Sequence, residues 1–137
     1  MTKESLRRFN PFMTSSPRKL TQDITLGNLK LKKGLNLGFP VLTMHLMEKF
    51  HKDALSFDIT RHTPENKLKQ TKLTFMPFFA GKRICIGQYM GDMMIKVFIS
   101  QMVKNFEWKR DDDYKPPMVL GLTYIHKEMT LWMRPRK

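Results

Sequence analysis

A mixed α+β architecture is predicted by three features of the sequence. Apolar residues recur every four positions through Ile86, Met90, Met94, Phe98, Met102 and Phe106, with Met93 and Val97 filling the stripe, which is the period of an amphipathic helix. Short alternating runs, Ile24 and Leu26 then Leu29 and Leu31, flank Gly27-Asn28, a hairpin signal. Proline and glycine punctuate much of the rest, so irregular chain should separate the regular elements. With 137 residues, 41% of them hydrophobic and 27% charged, the chain suits one domain and is too apolar for wholesale disorder.

The first helix is expected over residues 1–9, stopping before Pro11. A domain that opens inside a short helix is expected to be truncated. Residues 10–19 hold two prolines and a Thr-Ser-Ser run and read as loop. The hairpin follows, and 35–44, broken by Gly38 and Pro40, reads as a short strand leading into a turn. Residues 48–72 are polar, with a basic stretch at 67–72, and read as a surface meander. The helix predicted from the stripe runs from Gly87 to about Phe106, its methionines packed in a core. Asp111 to Asp113 and Pro116-Pro117 read as a solvated loop, and 118–125 with 129–134 as a second hairpin. No apolar run has the roughly 20 residues needed to span a bilayer, and the N-terminus lacks the apolar stretch of a signal peptide.

Lys plus Arg exceeds Asp plus Glu by 25 to 12, a net charge of +13, which favours an acidic partner such as nucleic acid, an anionic membrane face or an acidic protein. A single cysteine excludes an internal disulfide and a Cys-based zinc cage. His45, His51, His62 and His126 show no metal-ligand spacing and read as ordinary surface or loop residues.

Cys85 has an unusual setting. It lies between Gly81 and Gly87, just before the long helix, with Arg83 nearby. Backbone N–H groups and positive charge beside a thiol favour the thiolate, the form that ligates a metal. With no second thiol, the thiolate suits a metal that brings its own equatorial ligands, and haem is the obvious case.

The spacing Phe78-x-x-Gly81-x-Arg83-x-Cys85-x-Gly87 resembles the haem-binding loop of the cytochrome P450 family. Five fixed positions in ten residues, a rare Cys among them, should recur by chance on the order of once in millions of windows. Glu4-x-x-Arg7 fits that family's helix motif. His45-x7-Asp53-x3-Phe57-x3-Arg61 falls in register with its intervening segment, although Ala54, Ile59 and Thr60 replace its Pro, Pro and Glu, and His51 and His62 replace aromatics. Asn10-Pro11 followed by Arg18 is similar to a stretch whose arginine reaches a haem propionate.

The resemblance implies the C-terminal, proximal-haem part of that fold. It comprises a Glu-x-x-Arg helix over 1–9, hairpin and strand over 20–45, meander over 46–73, cysteine loop over 74–87, proximal helix over 87–107 and closing hairpin over 118–134. It further implies Cys85 as axial ligand of haem b iron, Arg83 and Arg18 as propionate partners, and Phe78, Gly81 and Gly87 as the loop's packing and close-approach positions. Glu4, Arg7 and Arg61 would form a structural cluster. The implied activity is insertion of one oxygen atom of O2 into a lipophilic small molecule, with NADPH-derived electrons from an acidic reductase docked near Lys82, Lys96 and Lys104. No catalytic residue of the oxygen side is identifiable in this portion, so the chain is expected to be inactive alone. The family is commonly attached to the endoplasmic reticulum membrane, but no membrane segment is present here and the location of this chain stays open. Two alternatives compete: a basic nucleic-acid-binding module, for which no zinc finger or aromatic RNA motif is found, and a decayed gene product.

Overall fold

The structure, a computed structural model, describes residues 1–71, 73–110, 118–120, 123–126 and 130–137. Helix α1 spans Thr2–Arg8, with Glu4 in its first turn and Arg7 and Arg8 in its last, each sign favourable to the helix dipole. Its buried residues are Glu4 and Arg7, so this helix packs through charge.

Strand β1 (Arg18–Lys19) pairs antiparallel with β4 (Asn36–Leu37), and β2 (Ile24–Leu26) pairs with β3 (Leu29–Leu31). Leu26 faces Leu29, which leaves Gly27-Asn28 as a two-residue turn. Gly27 has φ +57 and Asn28 a negative φ, the II′ arrangement that puts glycine first.

Two expectations for the following segments need correction. Residues 35–44 contribute only the two-residue β4 before helix α2 (Val41–His45), because Pro40 sets a helix start. The meander is more regular than expected, with a 3-10 turn at Ile59–His62 and helix α3 at Pro64–Lys69. The start of α3 is written locally: Thr63 caps it, Pro64 takes the first helical position and Glu65 sits in the first turn.

Helix α4 covers Gln88–Asn105 and passes straight into strand β5 (Phe106–Arg110). Strand β5 pairs with β8 (Leu131–Pro135), Phe106 opposite Pro135 and Arg110 opposite Leu131, while β6 (Met118–Leu120) pairs with β7 (Tyr124–His126). The closing segment is thus not one hairpin over 118–134. Its last strand returns to the end of α4. Phe106 satisfies both periods, since it closes the four-residue stripe and opens the alternation Phe-Glu-Trp-Lys. The loop expected at Asp111 to Asp113 and Pro116-Pro117 lies outside the described residues.

The methionine stripe is not core within this chain. Met90 is 68% exposed, Phe98 65% and Ile86 fully so, and Met93, Met94 and Val97 are exposed as well. Among the described residues, buried side chains are mostly polar: Glu4, Arg7, Asn10, His45, His51 and Thr74, with Val41 and Ala54 the buried apolar ones. An exposed apolar face of this kind drives self-association. The isolated chain should therefore bind a hydrophobic dye and show concentration-dependent oligomers by light scattering. Phe98→Glu with Met94→Glu should suppress both without lowering the unfolding midpoint. Unchanged dye binding in the double variant would show that another surface is responsible.

Candidate functional site

Two structures meet here: a buried ion cluster and the cysteine loop it supports. Arg7 is fully buried and every N–H of its guanidinium has an acceptor. Nε donates to Glu4 Oε2 at 2.9 Å and Nη2 to Glu4 Oε1 at 2.8 Å. The remaining donors reach three backbone carbonyls, His45 at 2.7 Å, Ala54 at 2.8 Å and Ser56 at 3.0 Å. Helix α1 is thereby stitched to the end of α2 and to the segment after it.

Glu4 is saturated in turn. Besides Arg7 it accepts the Asp58 N–H at 3.1 Å on Oε1 and His62 Nε2 at 2.9 Å on Oε2. A carboxylate offers about four lone-pair sites, and all four are taken. Arg61, expected as the third member, consequently stands farther off: its Nε lies 3.5 Å from Glu4 Oε1 without a hydrogen bond. Its other nitrogens donate to the Lys52 and Asp53 carbonyls, holding a bend where Asp53 adopts φ +51.

Burial opposes ionisation of Glu4, but hydrogen bonds from Arg7, the Asp58 N–H and His62 outweigh it and hold the carboxyl down at about 2. His45 is pushed down to about 4 by burial first and then by the charges of His51 and Arg7. His51 and His62 are lowered too, burial being the main cause in each. The histidines at 45, 51 and 62 are therefore not surface or loop bystanders, and this corrects the sequence expectation. Each is largely buried and touches the segment that leads into the cysteine loop.

That loop is built from residues 76–88. Phe79 N–H donates to the Met76 carbonyl at 3.0 Å, Cys85 N–H to the Phe78 carbonyl at 3.0 Å, and Gln88 N–H to the Cys85 carbonyl at 3.2 Å. Left-handed backbone at Phe79 (φ +64) and Gly81 (φ +74) turns the chain. A side chain at Gly81 would meet nothing within 4 Å in this chain, so its glycine serves conformation here. Phe78 lies over Gly91 of α4, where a Cβ would stand 3.7 Å from the ring. A Cβ at Gly87 would stand 3.8 Å from Cys85 Sγ, which puts the sulfur beside the start of α4. Asn10, buried at the exit of α1, donates to the Pro77 carbonyl at 3.3 Å, and Phe12 packs edge-on against Phe79 at 6.3 Å.

Cys85 is free and exposed. Arg83 is exposed in the 3-10 turn Gly81–Arg83, and Arg18 is exposed in β1. Neither carries a carboxylate partner among the described residues. The structure brings Glu4, Arg7 and Arg61 together, and it gathers Phe78, Gly81, Arg83, Cys85 and Gly87 on one loop. Among the described residues no side-chain hydrogen bond or ion pair joins Arg18 to that loop. Of the lysines considered for docking, Lys82 and Lys104 are exposed, whereas Lys96 is tied to Asp92 one turn away. Exposed sulfur, exposed apolar surface and unpaired guanidinium groups together suit a flat, largely apolar metal chelate carrying acid groups.

Removing one partner of a buried ion pair strands the other, at a cost of about 3–5 kcal/mol. Arg7→Ala and Glu4→Ala should each destabilise the chain by that amount in urea unfolding, and Arg7→Lys should recover little, since three donors cannot replace five. Full stability in Arg7→Lys would contradict the saturated-fork account.

The pH dependence has two windows. His45 has a folded value near 4 against 6.5 when free, so the unfolded chain takes up protons first, and about 3 kcal/mol of stability is lost as pH falls from 6.5 to 4. Glu4 has a folded value near 2 against 4.5, so a further loss of about 3 kcal/mol follows as pH falls from 4.5 to 2. Unfolding midpoints measured at half-unit pH intervals should therefore decline in two stages. A flat profile between pH 7 and 4 would refute the buried neutral state of His45.

The cytochrome P450 family model matches residues 1–133. A cytokinin hydroxylase of Arabidopsis thaliana is 36% identical over 121 residues, 88% of this chain and 23% of that protein. The 11-oxo-beta-amyrin 30-oxidase of Medicago truncatula is 34% identical over 124 residues, 87% of this chain and 23% of that one. Among solved structures, a cytochrome P450DA haem domain superposes with a TM-score of 0.89 at 24% identity, covering 98% of this chain and 30% of that one. A retinoic-acid-bound cyanobacterial member gives a TM-score of 0.88 at 21% identity, covering 98% and 31%. The chain thus spans about a quarter of the length of these curated relatives. Among the described residues, no helix is long and apolar enough to cross a membrane. The chain belongs to the cytochrome P450 family, and its fold is the C-terminal α+β part of the family's haem domain.

Proposed function

We propose that this chain is the haem-anchoring portion of a haem-thiolate monooxygenase, with Cys85 as the axial ligand of the iron. The observation that carries this reading is the exposed Cys85 sulfur, framed by glycines at the start of α4 and flanked by an unpaired Arg83. The donor set fits the group: a thiolate is a suitable fifth ligand for haem iron. Arg83 and Arg18 would pair with the propionates, since guanidinium matches carboxylate geometry. Phe78 packs the loop onto α4, while Gly81 and Gly87 keep the backbone free of side chains around the sulfur.

Haem b, when bound, supplies the reductive activation of dioxygen that inserts one oxygen atom into an organic substrate. What this chain's own residues do is narrower. They hold the sulfur, offer charge to the propionates and tie the loop to the Glu4–Arg7 cluster. Lys82 and Lys104 would contribute to a basic docking face for an acidic reductase delivering NADPH-derived electrons. Lys96 contributes less, being paired with Asp92. The substrate would be a lipophilic small molecule, the class that the relatives' names, a cytokinin hydroxylase and an 11-oxo-beta-amyrin 30-oxidase, are consistent with. The nucleic-acid-binding alternative gains nothing from a family match across residues 1–133.

The test is reconstitution of the chain with haem and the spectrum of its reduced carbonyl form. A thiolate-type Soret band is expected, lost in Cys85→Ser. Arg83→Ala should weaken haem retention about tenfold, the value of one charge-assisted hydrogen bond. A band indifferent to Cys85→Ser would remove Cys85 from the site. Supplied with reductase, reduced nicotinamide and lipophilic substrates, the same preparation should consume cofactor without oxygenated product, because Cys85 and the apolar residues of α4 are exposed among the described residues. Coupled product formation would overturn the proposal that the chain is inactive alone.

A further inference from the structure

Three histidines grip three successive residues at the stem of the cysteine loop. His51 Nε2 donates to the Thr74 carbonyl at 3.1 Å. The Phe75 ring lies between His62 and His45, with centroids at 4.9 and 5.5 Å. Met76 N–H donates to His45 Nε2 at 2.9 Å. Residue 76 is also where the loop's own hydrogen bonds begin, since its carbonyl accepts Phe79 N–H.

The partners fix the protons. His45 accepts at Nε2, so its hydrogen sits on Nδ1, which is buried and has no hydrogen-bond partner. His51 and His62 donate at Nε2, the latter into the saturated Glu4 carboxylate. Protonation leaves both of these donors in place. At His45 it replaces the acceptor with an N–H facing the Met76 N–H, and the grip fails there.

We propose that His45 is a positioning residue for the cysteine loop: its neutral imidazole, with His51 and His62, clamps Thr74 to Met76 onto the Glu4–Arg7 cluster and so holds the stem from which Cys85 is presented. The clamp's bearing on a metal site rests on the ligand-loop reading above, but its geometry does not. The groups around His45 set its acid limit. Glu4 and Arg7 lie on α1, with the Arg7 guanidinium bonded to the His45 carbonyl. His51 follows α2, and Arg61 and His62 lie on the 3-10 turn. Burial and the positive groups keep the ring neutral above about pH 4.

The test uses the 137-residue chain without haem. Long-range proton–nitrogen NMR at neutral pH should show His45 protonated on Nδ1 and His51 and His62 on Nε2. In His45→Phe, which keeps a ring against Phe75 but loses the acceptor, protection of the Met76 and Cys85 amides against hydrogen exchange should fall about tenfold. His45→Gln, whose side-chain oxygen can accept from Met76, should restore it. In the wild type that protection should collapse as His45 titrates, whereas His45→Gln should keep it to lower pH. An Nε2-protonated His45, unchanged protection in His45→Phe, or loss of protection at the same pH in wild type and His45→Gln would each overturn the clamp. Should His45→Phe not fold, the tautomer and the wild-type against His45→Gln comparison still decide. An intact clamp together with a Cys85-independent haem spectrum would sink the haem reading and leave this one standing.

Discussion

The rest of the structure depends on one saturated pair, Arg7 with Glu4. A guanidinium has five N–H donors and a buried one must place them all, because each unmet donor carries its full desolvation penalty. Arg7 does so by reaching three carbonyls from a stretch of chain about forty to fifty residues away. Those contacts do what an apolar core does in most domains: they convert segments with little regular structure into a fixed surface. The near absence of buried aliphatic side chains among the described residues makes this electrostatic anchoring the main source of tertiary order around the site.

Order then passes outward along a short covalent and hydrogen-bonded route. Glu4 bonds His62, the His62 ring meets Phe75, and Phe75 adjoins the residue whose amide and carbonyl are held by His45 and Phe79. A second brace runs from the end of α1 through Asn10 to the Pro77 carbonyl. Between them the loop is fixed at its stem, while Phe79 and Gly81 supply the left-handed turns that swing Cys85 back to the start of α4. Backbone strain at Phe79 persists because both ends of the loop are held.

The cysteine loop was legible in the sequence because its constraints are local. A turn needing φ > 0 favours glycine at 81, and a second glycine at 87 stands beside the sulfur at the helix start. The Glu4–Arg7 pair was legible for the same reason, since two residues three apart share a helical face. His62 was not, because nothing near it in sequence announces that a carboxylate 58 positions away has one lone pair left. The same holds for His45 and His51, whose partners at 76 and 74 come from another segment. Strand β8 was assigned to the wrong neighbour because alternation identifies a strand without naming its partner, and β5 was hidden where the helical and strand periods overlap at Phe106. Thr63-Pro64-Glu65 was a readable helix start that the basic stretch after it obscured.

The exposed stripe on α4 shows how a correct periodicity can yield the wrong environment. The four-residue recurrence of Met90, Met94 and Phe98 establishes an apolar face, but only the surrounding chain decides whether that face is covered. Here it is bare. The molecule therefore has two unlike sides. On one, charge and imidazoles lock α1, the meander and the stem of the cysteine loop together; on the other, the sulfur of Cys85 and the apolar residues of α4 are open. The first side satisfies its buried polar groups within this chain apart from His45 Nδ1 and Arg61 Nε, and it does so in a chain about a quarter as long as its curated relatives. The second side gains stability only when apolar surface is laid against it. Its geometry is set from the first side, through the loop stem that His45, His51 and His62 hold against the Arg7 cluster.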